Sequence, residues 1–94
     1  MSISTIPGFV TTLANTNDKI VVNGSRDPIA YAVVSGSLEV EYTYSPGENI
    51  DGDTAVWINA NTNMAPGAHN VVNPPYTGIR FTAKANNTVV HWTR

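Results

Sequence analysis

The chain reads as an all-β protein: a single compact antiparallel β-sandwich of about seven or eight short strands. Three observations carry that reading. Apolar residues recur with a period of two rather than 3.6. Turn-forming clusters interrupt the apolar runs at intervals of roughly ten residues, the rhythm of a small sandwich. No window of ten or more residues combines helical spacing with a helix cap.

The elements follow in order. Residues 1–12 carry Ile3, Ile6, Phe9 and Val10, and read either as an extended arm that docks on a neighbour or as the first strand. Residues 19–22 are a short apolar strand closed by the turn pair Asn23-Gly24. Residues 29–34 run more continuously apolar, which suits a strand covered on both faces or one at a subunit contact. Ser35-Gly36-Ser37 then has the brevity of a hairpin turn. Beyond it, Leu38, Val40, Tyr42 and Tyr44 alternate with Glu39, Glu41 and Thr43, the cleanest half-buried strand in the chain. Ser45-Pro46-Gly47 and Asp51-Gly52-Asp53 mark wider loops before a strand at 55–58 that holds Trp57. Residues 59–73 read as a long projecting loop, and Asn73-Pro74-Pro75 keeps the chain extended before Tyr76. Ile79, Phe81 and Ala83 alternate with Arg80, Thr82 and Lys84, as Val90 and Trp92 do with His91 and Thr93. Asn86-Asn87, two residues that tolerate positive φ, closes these last two strands as a hairpin.

Composition bounds the function. At 94 residues the chain is one domain, 1–94, with room for one modest core. Charged residues make up 13%, about half the usual globular share, and Asn and Thr stand in their place. A surface with so little charge repels little and leaves strand edges poorly protected, so pairing of edges in an oligomer is expected. The net charge is −2, and the five Lys and Arg form no basic stripe, which argues against nucleic-acid binding. Without cysteine there is no disulfide framework and no thiolate metal site. No apolar run spans a bilayer, and the N-terminus lacks the pattern of a signal peptide. The expectation is therefore no membrane association and synthesis in the cytosol. On that basis the sequons at Asn23 and Asn86 read as chance in an Asn-rich chain.

Sites of chemistry are sparse. His69, in the presumed loop, and His91, beside Trp92, belong to no recognised catalytic motif. Used with the acids near Asp51 they would give a small hydrolase; otherwise they are surface or interface residues. Glu48, Asp51 and Asp53 resemble the start of a Ca²⁺ loop but lack its remaining oxygen positions and its terminal Glu, so a turn with solvated acids is the plainer reading. Trp57, Tyr76 and Trp92 are candidate sugar-stacking rings. Trp57 and Trp92 sit in strand patterns and read as core, which leaves Tyr76 as the ring expected to be exposed. The glycines show no phosphate-loop spacing. No cofactor and no metal are assigned.

The order of features resembles that of small β-sandwich virion proteins of tailed bacteriophages. The residues that carry the resemblance are the strand pair 29–35 and 37–44, Ser45-Pro46-Gly47, and the segment 54–59 with Trp57. The closing hairpin from Pro75-Tyr76-Thr77-Gly78-Ile79-Arg80-Phe81-Thr82-Ala83 to Thr88-Val89-Val90-His91-Trp92 completes it. The resemblance covers about two-thirds of the chain and carries over no catalytic residue. It implies a capsid decoration (cement) protein, or a tail-associated or head-fibre component. Such a protein would be a homo-oligomer, taken here as a trimer, bound to the major capsid protein or another virion protein and located in the virion. Ile3, Ile6, Phe9, His69 and Tyr76 are the candidate partner contacts. A carbohydrate-binding or host-adhesion module, with Tyr76 and the 59–73 loop at its rim, is the alternative.

Overall fold

A computed structural model describes residues 9–24 and 27–93. Among them, eight strands and one short helix follow in the order β1 (Phe9–Leu13), β2 (Lys19–Asn23), β3 (Ile29–Ser35), β4 (Leu38–Thr43), α1 (Gly47–Asp51), β5 (Trp57–Met64), β6 (His69–Val72), β7 (Gly78–Ala83) and β8 (Thr88–Thr93). The strands form two four-stranded sheets, ordered β1-β8-β3-β6 and β2-β7-β4-β5, and every pairing is antiparallel. The all-β sandwich expected from the period-two pattern is therefore the fold. Every connection except β4 to β5 passes from one sheet to the other. Two sheets linked in this way form a jelly roll.

That topology corrects two expected hairpins. Ser35-Gly36-Ser37 and Asn86-Asn87 do not join paired strands: each carries the chain between layers. A short connection does not fix the plane in which the chain leaves it. At the first corner the β3–β8 register shifts between Val33 and Ser35, and Gly36 adopts φ +80°. The corner is tied down by Thr88, whose Oγ1 accepts from Ser37 N at 3.2 Å and donates to Ala85 O at 2.8 Å.

The projecting loop expected at 59–73 is also corrected. Trp57–Met64 is strand β5 and His69–Val72 is β6, with only the Ala65-Pro66-Gly67 turn region between them. Asn-rich sequence masks β5 because it lies at a sheet edge, where polar side chains keep contact with water. Residues 47–51, expected as a turn, form the single turn of α1, and Ile50 is buried beneath it.

Alternating side chains of the two sheets meet in one core. Ile29, Leu38, Val40, Ile79, Phe81 and Val90 are completely buried in it. Phe81 lies edge-on to Tyr31 with ring centroids 5.5 Å apart, and Trp92 is tilted against it at 5.9 Å. The Trp92 indole N–H donates to Thr11 Oγ1 at 3.2 Å, which satisfies the polar atom of a mostly buried ring.

The corner at Gly36 gives a direct test of how closely the layers approach. A Cβ there would lie 2.7 Å from Thr88 Cα, whereas at Gly24, also at positive φ, it would meet nothing within 4 Å. Gly24→Ala should cost only the left-handed strain, about 1–2 kcal/mol. Gly36→Ala should cost at least twice as much by urea denaturation. Equal losses would show that the corner has room to relax.

Candidate functional site

The two outer faces of the sandwich differ in kind. Strands β1, β3, β6 and β8 contain no Asp, Glu, Lys or Arg; the strand charges, Lys19, Glu39, Glu41 and Arg80, all lie in the other sheet. On that charged face Arg80 Nη2 meets Glu41 Oε1 at 2.7 Å, and its guanidinium carbon sits 4.4 Å from the Trp57 ring centre. Trp57, expected in the core, is thus corrected to the outer face. It pairs with Thr43 on β4, and its ring is stacked by Arg80.

The uncharged face is built from cross-strand rows. Val10, His91, Ala32 and His69 stand in one row across β1, β8, β3 and β6, and Thr93, Ala30 and Val71 form the next. Strand parity puts these side chains outward, because Tyr31, Val90 and Trp92 between them point into the core. Alanine favours strands poorly. Two alanines at the outward positions of β3 therefore cost some local preference, and they leave a trough along the middle of the sheet. The trough is open, about 500 Å³ in volume, and flanked by His69, Val71, His91, Thr93 and Val10. Val10 and Val71 are 65% and 46% exposed, high for apolar side chains that share one face.

Behind the trough lies a polar clasp between the sheets. Tyr31 Oη donates to Asn61 Oδ1 at 2.6 Å, and Asn70 Nδ2 donates to the same oxygen at 2.9 Å. This ties edge strand β5 of one sheet to β3 and β6 of the other. Burial pushes the Tyr31 hydroxyl up to about 12, with the Asn70 amide pulling weakly the other way.

Of the residues expected to meet a partner, Phe9 and His69 line the trough and Tyr76 does not. Ile3 and Ile6 lie outside the described residues. Phe9 opens β1 beside the trough, 44% exposed, and stacks on Trp92 at 4.3 Å. In the part described, residues 9–13 form a strand paired with β8, which is the second of the two readings given for residues 1–12. His69 is exposed on β6. Tyr76 is corrected: it is 2% exposed, and its hydroxyl donates to Asp27 O at 2.6 Å. The prolines before it set the chain's course but do not decide which way the ring turns, and the sandwich end takes the ring in.

The acids and histidines proposed together are kept apart. Glu48 and Asp51 lie in α1, whose Ile50 covers Gly78 on the charged sheet, and Asp51 accepts from Asn23 Nδ2 at 2.9 Å. His69 and His91 are on the opposite outer face. Among the described residues, no group of three or more His, Asp or Glu is placed to hold a metal ion, and no helix is long and apolar enough to cross a membrane. No protein-family model, curated protein or solved structure matches the chain.

The trough residues Ala30, Ala32, Val10 and Val71 went unseen in the sequence, although a signal for them was there. Uncharged strand segments are interspersed along the chain with the charged β2, β4 and β7, and only the sheet order gathers those three into one face.

The Tyr31 clasp predicts a pH dependence. Its folded-state value lies above the unfolded value of 10, so its contribution is intact below about pH 10 and is lost as pH rises toward 12. In that window stability should fall by about 1.4 kcal/mol per pH unit. Tyr31→Phe should abolish that component in denaturation series from pH 9 to 12. Parallel curves for the two proteins would show that the hydroxyl is not held in the clasp.

Proposed function

We propose that this protein is a non-enzymatic assembly subunit that docks through the uncharged outer face of the β1-β8-β3-β6 sheet. The observation that carries the proposal is the segregation of charge. All strand charges lie on one sheet, while the other presents valines, alanines, threonines and two histidines around a shallow trough. An apolar sheet face is costly to leave in water and favours burial against a partner.

The assembly we infer is the virion of a tailed bacteriophage, with the protein decorating the capsid shell as a homo-oligomer, a trimer on this reading. Support comes from the order of features described above and from the low charge. Jelly rolls also serve as capsid and lectin domains, an analogy of fold alone. Docking would be mechanical: each copy adds modest apolar contact, and many copies on a repeating shell sum by multivalency. A ligand that binds only the intact shell favours the intact shell. The adhesion alternative loses the ring it placed at its rim, since Tyr76 is buried.

The test is co-sedimentation with empty heads of the encoding phage, alongside light scattering of the free protein. Ala32→Lys, in the middle of the trough, should weaken docking at least tenfold, because it buries an unpaired charge. Val21→Lys, on the charged sheet, should leave docking unchanged. A monomer that ignores the heads, or equal losses from both substitutions, would overturn the proposal.

A further inference from the structure

His69 and His91 are 22 residues apart in sequence, yet both are registered against Ala32, one from β6 and one from β8. We propose that they form a joint binding site for a divalent transition-metal ion of the zinc, nickel or copper type, seated over Ala32. The inference does not depend on what the uncharged face docks against.

Reach comes first. Two strand spacings put the flanking backbones roughly 10 Å apart. An imidazole leaning in from each side, with two metal–nitrogen bonds of roughly 2.0–2.1 Å, spans that gap. Both side chains line the same open trough, and in their cross-strand row the residue between them is Ala32. Ala32 is what makes the approach possible, because a longer side chain there would occupy the position of the ion.

Ligand chemistry points the same way. Metal coordination needs neutral imidazole, and no cation on these four strands competes for the site. Carboxylates are equally absent from the strands, so the donor set is nitrogen alone, which disfavours calcium and magnesium. His69 Nδ1 lies 3.5 Å from Gly67 O. In the tautomer with the proton on Nδ1, that carbonyl is there to accept it and the Nε2 lone pair is left for the metal, an arrangement common among ligating histidines. Two nitrogens leave coordination positions to water, or to a donor from a docked partner. The site is therefore of the open, exchangeable kind rather than a closed structural one.

Calorimetric titration of the full chain with Ni²⁺ and with Zn²⁺ near pH 7.5 tests this. The expected result is one ion per chain. His69→Ala and His91→Ala should each weaken binding by roughly tenfold or more, since either loss turns a chelate into a single ligand. Ala32→Leu, with both rings retained, should weaken it too. Both histidines are exposed, so their replacement leaves the core intact. Absence of binding, loss on replacing only one histidine, or indifference to Ala32→Leu would overturn the joint site.

Discussion

Phe81 enters the core from β7 and is completely buried between two rings of the opposite sheet, Tyr31 and Trp92, with Phe9 stacked beyond Trp92. Aromatic contacts of this kind contribute about 0.5–1.5 kcal/mol each beyond the area they bury. Their larger effect here is on parity. In a strand, side chains alternate between faces, so fixing one residue inward fixes its neighbours outward. Phe81 inward sends Arg80 to the charged face, where it finds Glu41 and Trp57. Tyr31 inward sends Ala30 and Ala32 to the other face, and Trp92 inward does the same for His91 and Thr93. A slip of one residue at either place would bury Arg80 or a histidine and expose the rings. The aromatic cluster therefore sets the chemistry of both surfaces.

The strands were legible in the sequence because period-two alternation reports directly on which side is buried. Leu38, Val40, Ile79, Phe81 and Val90 are all core residues, as their spacing implies. Connectivity was not legible. Ser35-Gly36-Ser37 looks like a hairpin turn, and whether such a turn stays in one sheet depends on contacts with distant Thr88. Strand β5 was hidden by its asparagines. One of them, Asn61, gains its role only when Tyr31 and Asn70 arrive from the opposite sheet. Tyr76 and Trp57 exchanged places for a similar reason. A ring after two prolines and a ring within a strand look exposed and buried in sequence, and long-range partners decide both cases.

The candidate surface was hidden by the same topology. The charged strands β2, β4 and β7 are interspersed with uncharged ones and fall in one sheet together with uncharged β5, so a locally mixed sequence sorts into one sheet that holds all the strand charges and one whose strands hold none. His69 and His91 share a row only because β3 lies between β6 and β8. An uncharged face of this kind suits contact with a repeating surface, where each copy needs little affinity of its own. The charged sheet, with Arg80 and Glu41 paired to each other, is suited to facing water.

Site-selective labelling tests the proposed docking on a phage head most directly, and the absence of native cysteine makes it clean. Val71 and Val21 are 46% and 48% exposed on opposite sheets, so a single cysteine at either position should react with a maleimide at a similar rate in the free protein. With empty heads present, the account predicts that Val71→Cys becomes protected while Val21→Cys reacts as before. Protection of Val21→Cys instead, or of neither, would contradict it.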